Sequence, residues 1–148
     1  MDYNKNIPAY YCVGFHYYGK KETNQLGKFL EEGIWVNGYD TKFINNTKRV
    51  PVGAAIAAKT TYTMKKEGRT IPVLEVHARG IVTGNHNDGK KLEVNWEPDF
   101  QPVKLIGQGG YRNTISRVWN KNAIEKIEFE EKPKDKINLI YHTTPWRG

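Results

Sequence analysis

Between Val50 and Trp96 the apolar residues follow a period of two, and this stretch limits the chain's folding options more than any other. In "TIPVLEVHARGIVTGN" the alternation places Leu74, Val76, Ala78 and Val82 on one strand face, with Gly80 as a bend or bulge. "NDGK", Asn87 to Lys90, contains the Asp-Gly pair that favours a tight reversal, and "LEVNW" resumes the alternation with Leu92, Val94 and Trp96. Upstream, "GAAIAAKTTYT" runs from small residues into β-branched Thr and Tyr62. A long strand therefore folds back on its neighbours, and an antiparallel sheet forms the centre of the protein.

The flanking sequence supplies the other elements. Ala9 to Phe15 reads as a buried strand. Thr23 or Asn24 caps a helix in which Leu26, Phe29 and Leu30 recur at helical spacing, and Gly33 stops it. "YDTKFINN" allows one short turn with Phe43 and Ile44 facing inward. "PVKLIGQGGYRNTISRVW" offers two short strands around the turn Gly107 to Gly110, and "NAIEKIEFEEK" a short helix or a closing strand. At 148 residues the chain suits one domain. We place that domain at residues 1–132, and read 133–148, with the charged, Pro-containing "KPKDK", as a linker toward a missing C-terminal region. The order of elements predicts an α+β domain on a small, strongly curved or closed sheet.

Charge narrows the partner. From Lys42 to Lys91 there are ten lysines and arginines against Glu67, Glu75 and Asp88, so this span carries the whole formal excess of +7. A localised basic face of this kind suits an anionic partner, although a merely solvated surface fits the same count. Cys12 is the only cysteine and lies in the apolar run "AYYCVGF", which excludes an internal disulfide and a cysteine-based zinc site. His16, His77, His86 and His142 lack metal-ligand spacing, and His77 alternates onto the surface side of its strand. "GQGGYRNT" lacks the Gly-Lys-Ser/Thr ending of a phosphate-binding loop, and Glu31-Glu32 and Glu130-Glu131 are adjacent pairs whose carboxylates diverge. No apolar run approaches the ~18 residues of a membrane span and no signal peptide opens the chain, so a soluble cytoplasmic protein is expected. The chain reads as a binding protein without catalytic residues, metal or cofactor.

The aromatic residues are the remaining signal. Phe15, Tyr17, Tyr18, Trp35, Tyr39 and Tyr62 flank or interleave with the basic span, an arrangement that suits a nucleobase held by stacking while lysines neutralise its phosphates. For Trp35 or Phe15 taken singly, core burial is the simpler reading.

"FLEEGIWVNGYDTKF", "VPVGAAIAAKTTYT", "VLEVHARGIVTGNHNDGKKLEVNWEPDF" and "GYRNTISRVW" together resemble, in order and spacing from about Tyr10 to Glu131, the N-terminal recognition module of McrB-type subunits of modification-dependent restriction systems. These modules are similar to the EVE and YTH domains of the PUA-like superfamily. The resemblance implies a curved, nearly closed β-barrel with a few peripheral helices and a pocket for a base flipped out of double-stranded DNA. It further implies a monomeric module whose parent chain carries a GTP-hydrolysing AAA+ motor, assembled as a hexamer with a nuclease subunit. Position by position, Phe15, Tyr17, Tyr18, Trp35, Tyr39, Lys59, Thr61 and Tyr62 fall on the base pocket. Lys42, Lys48, Arg49, Lys65, Lys66, Arg69, Lys90, Lys91, Arg112 and Asn113 are the candidates for the DNA backbone. Two positions depart from the family: Gly53-Ala54 replaces its Gly-Asp, and Met64 stands where an Arg is common. Readout of unmodified DNA by Arg112, Asn113 and Arg117, YTH-like binding of modified RNA, and a protein-interaction role remain alternatives.

Overall fold

The computed structural model describes residues 7–17 and 23–127. The chain begins as β1 (Tyr10–Val13), turns at Gly14 into a two-stranded ribbon of β2 (His16–Tyr17) and β3 (Thr23–Asn24), and continues through α1 (Leu26–Glu32), β4 (Ile34–Val36) and α2 (Ile44–Lys48). Four strands follow, β5 (Ala55–Lys66), β6 (Arg69–Asn85), β7 (Lys91–Trp96) and β8 (Val103–Ile106), then β9 (Ile115–Arg117) and α3 (Lys121–Ile127). The α+β class follows directly, with strands predominating.

The hairpin of β5 and β6 is the spine of the sheet. It closes through a two-residue turn, Glu67 and Gly68, both at positive φ (53° and 76°), the combination whose twist matches that of paired strands. The sheet runs β4-β7-β6-β5-β1-β9. Along its far edge β6 changes partner: Val73 to Val76 pair with β8, and Gly80 to Asn85 pair with β7. On the other side β5 pairs in parallel with β1 over Ala55 to Ala58.

The expected single apolar face of β6 is not formed. The register slips between Ala58 and Lys59, with Ala58 opposite Ala78 and Lys59 opposite Val76, so His77 is an extra residue on β6. Such a bulge reverses the inward parity. Leu74 and Val76 consequently pack with Cys12, Leu105 and Ile127 beneath α3, whereas Ala78 and Val82 join Phe29, Trp35 and Trp96 in the core on the other face. Gly80 serves a different purpose from the expected bend. A Cβ there would lie 2.5 Å from the Asn95 carbonyl oxygen, so glycine is needed for β7 to approach.

Among the described residues the sheet is not closed into a barrel. Its edge strands β4 and β9 have three residues each and do not pair with one another among the described residues. The Trp35 indole N–H on β4 donates to the Gly14 carbonyl after β1 at 2.8 Å, a side-chain link between these two segments. The N-cap of helix α1 is Gln25, without a side-chain cap bond, in place of the expected Thr23 or Asn24, although Asn24 Oδ1 accepts the Leu26 amide at 2.9 Å; the helix ends at Gly33 in the left-handed region (φ 66°), as its sequence predicts. Only Phe29 is fully buried on it; Leu30, expected inward, is exposed because the seven-residue helix lays a narrow stripe on the core. The segment "NAIEKI" is helical, as α3. The linker expected at residues 133–148 lies outside the described residues.

Candidate nucleic-acid interface

The site is created where β1 and β5 separate. Their parallel pairing ends at Val13 and Ala58, after which β1 turns away at Gly14 while β5 continues to Lys66. Into the resulting space come the residues after β1 (Phe15, His16, Tyr17), the loop after β4 (Gly38, Tyr39), β5 from Lys59 to Tyr62, and Arg112 and Thr114 from the segment before β9. They line a pocket of about 310 Å³, at the lower end of the roughly 300–1,000 Å³ usual for small-molecule sites. No Asp or Glu is among the lining residues.

Six of the eight residues assigned to a base pocket therefore surround one cavity: Phe15, Tyr17, Tyr39, Lys59, Thr61 and Tyr62. Tyr18 lies outside the described residues. Trp35 does not reach the cavity. It is 0% exposed, packed in the main core and bonded to Gly14, so its assignment to the pocket is corrected to a support beneath it. The inward parity of β4, set by pairing Trp35 with Leu92, decides this.

The loop "NGYD" after β4 is anchored by hydrogen bonds and close packing. Asn37 is fully buried; its amide donates to the carbonyls of Lys42 (2.8 Å) and Gly89 (3.2 Å), and its oxygen accepts the Tyr39 amide at 3.0 Å. Gly38 has no room for a side chain, since a Cβ would sit 2.6 Å from the Tyr17 ring. The Tyr17 hydroxyl donates to the Val36 carbonyl at 3.3 Å, and burial raises its pKa. Lys90 Nζ donates to the Tyr39 carbonyl (2.8 Å) and to Asp40 (3.3 Å), so this lysine, expected at a phosphate, ties down the pocket loop. Tyr39 itself is half-buried, edge-on to Phe43 at 5.7 Å, with the Lys42 ammonium 5.5 Å above its ring.

Behind the pocket β6 contributes a polar group that alternation alone leaves on the surface. The extra residue of the bulge, His77, meets Thr60 Oγ1 at 3.0 Å and the Phe15 ring edge-on at 5.3 Å. Burial lowers its pKa, opposed by Glu75 and reinforced by His16. Glu75 also accepts the Tyr62 hydroxyl at 2.7 Å, a bond that raises the tyrosine pKa. The sequence held no sign of this grouping, because the bulge that turns His77 toward Phe15 is a property of the β5–β6 pairing.

Lys59 is the most unusual lining residue. It is 4% exposed, and its ammonium donates to the Asn113 carbonyl at 2.8 Å. Burial, reinforced by Arg112 and opposed by Cys12, depresses its pKa to about 8, while burial pushes the Cys12 thiol up to about 12. Asn113, expected at the DNA backbone, thus uses its carbonyl to hold Lys59.

The other basic candidates divide by position. Lys65, Lys66 and Arg69 are exposed at the tip of the β5–β6 hairpin, three to seven residues along the chain from Tyr62. Lys48 and Arg49 are exposed at the end of α2, Arg112 is exposed at the pocket, and Lys91 is half-buried in β7. Arg79 is turned away from such a role, paired with Glu97 and stacked 4.8 Å from the Phe100 ring. Arg117, a candidate for base readout, stacks 3.8 Å from Trp119. Among the described residues there is no metal-binding group of three or more His, Cys, Asp or Glu, and no helix long and apolar enough to cross a membrane. Comparison with protein-family models, curated proteins and solved structures finds no match.

Proposed function

We propose that this chain is a DNA-binding specificity module that accepts an extruded, modified base in the pocket between β1 and β5, and that it serves a motor and nuclease of the McrBC-like restriction type. The observation that carries the reading is the pocket's composition: aromatic rings from three separate segments and two cations, with no carboxylate, beside an exposed basic hairpin tip. Planar rings with adjacent cations suit a nucleobase and its phosphates; an acidic lining would repel them. Extrusion costs a few kcal/mol of unstacking, offset by stacking in the pocket and hydrogen bonds to the base edge. Tyr39 and Tyr62, at least partly exposed, are the stacking surfaces, and the buried Phe15 is a wall. Thr60 and Thr61 also line the pocket, and the Thr60 hydroxyl meets His77 at 3.0 Å.

The test is a fluorescence-anisotropy panel: duplexes of one sequence carrying cytosine, 5-methylcytosine, 5-carboxylcytosine, adenine or N6-methyladenine, with single-stranded RNA of matching sequence. We expect one modified duplex to bind at least tenfold more tightly than its plain counterpart. Equal affinity for all duplexes would overturn base inspection, and preference for the methylated RNA would move the same pocket to RNA.

A further inference from the structure

Among the described residues, Lys59 is buried without an anion beside it. Its ammonium has three donors, and one hydrogen bond to the Asn113 carbonyl is described, so donor capacity remains for a ligand. No carboxylate within salt-bridge distance accompanies it among the described residues. The titratable and charged groups that bear on it are the protonated thiol of Cys12 on β1 and a second cation, Arg112, from the segment before β9. An ammonium held this way is costly to the fold, and on the same sheet face its neighbours Cys12, Leu74 and Val76 form an apolar cluster that a methionine would suit as well. The compensation is at the pocket, which Lys59 lines. Depth separates the two cations: Arg112 is exposed and can reach a phosphate at the mouth, whereas Lys59 is buried and can meet only what enters.

We propose that Lys59 is the specificity-determining residue of the pocket, and that it selects a base whose inner edge presents acceptors or a negative charge. This rests on the base-pocket reading and deepens it. The acceptor has two possible sources in a cytosine, the ring atoms O2 and N3 or a carboxylate added at C5. A charge-assisted hydrogen bond from a buried ammonium corresponds to roughly a ten- to hundredfold gain in affinity. A base that turns only donors or apolar atoms toward Lys59 would leave the ammonium buried and unsatisfied.

The experiment compares the parent and Lys59→Met on duplexes of one sequence carrying cytosine, 5-methylcytosine or 5-carboxylcytosine. We expect the parent to favour the 5-carboxylcytosine duplex over the plain one by about tenfold or more at neutral pH, and Lys59→Met to lose that preference. If the carboxylate is the source, only that duplex weakens in the variant; if the ring atoms, which plain cytosine also carries, are the source, all three duplexes weaken together and Lys59 does not select the modification. A pH series on the parent provides a readout independent of the variant's folding. The preference should hold below about pH 8 and shrink above it as the free amine loses its proton. A modified-base preference that survives both Lys59→Met and pH 9.5 unchanged would overturn the role of Lys59 and leave the pocket reading standing. Equal binding of all three duplexes by the parent, together with no preference in the adenine pair, would overturn both.

Discussion

At the residue scale, Trp35 and Tyr39 separate two roles that adjacent aromatics blur. Trp35 is wholly buried and bonded to Gly14, so Trp35→Ala should cost about 3–5 kcal/mol of folding stability in urea titration, while the folded fraction keeps its ratio of modified to plain DNA affinity. Tyr39, on an anchored loop, lines the pocket. Tyr39→Ala should leave the unfolding midpoint nearly unmoved and lower affinity for the preferred duplex by about 1–3 kcal/mol. Gly38 offers a finer probe. Gly38→Ala drives a methyl into the Tyr17 ring, and should weaken modified-base binding more than plain binding, because the displaced ring is part of the pocket wall. Lys59 sets a pH signature. Its proton leaves near pH 8 in the folded chain against 10.5 in an unfolded one, so the unfolded state holds the extra proton between those values and stability rises with pH. Cys12 opposes it from pH 9.0 upward, since its folded thiol ionises only near 12. Stability should therefore climb between about pH 7.5 and 9, and Lys59→Met should abolish the climb when unfolding is followed across that range.

At the scale of elements, the β5–β6 hairpin joins two functions on one rigid ribbon. Its root forms the pocket wall and its tip carries Lys65, Lys66 and Arg69. Phosphate contacts position a duplex without reading it, so Lys65→Ala with Lys66→Ala should weaken modified and plain DNA by the same factor and reduce the salt slope by about 2. An effect on only one of the duplexes would place these lysines at the base. The same hairpin explains why Gly33, the Asp88-Gly89 reversal and the β-period were legible in the sequence while the two faces of β6 were not. Helix stops and turns depend on local backbone conformation, which a residue type controls. A bulge at His77 depends on how two strands pair, and it moves Leu74 and Val76 to a different core from Ala78 and Val82.

For the whole molecule, the basic excess is less uniform than its count suggests. Arg79 is paired, Lys90 is tied to the pocket loop, Lys59 is buried and Lys91 is half-buried, which leaves Lys42, Lys48, Arg49, Lys65, Lys66 and Arg69 of the span from Lys42 to Lys91 exposed for phosphates, joined by Arg112 from beyond it. If four to six of these meet DNA, log affinity should fall with log salt at a slope of about −4 to −5. A flat salt response would remove the nucleic-acid reading altogether. By itself the sequence determined what short-range forces control: the α+β class, the strand-rich centre, the helix and its stop at Gly33, and the aromatic and basic residue types that make a base pocket conceivable. The tertiary structure decided which of those residues meet. Trp35 went to the core because pairing with β7 turned it inward, and Lys59 became a buried cation held by the Asn113 carbonyl from the segment before β9. Among the described residues the sheet stays open, since its three-residue edge strands do not pair with each other. Each outcome depends on contacts between segments far apart in the chain, and no local pattern of residues carries that information.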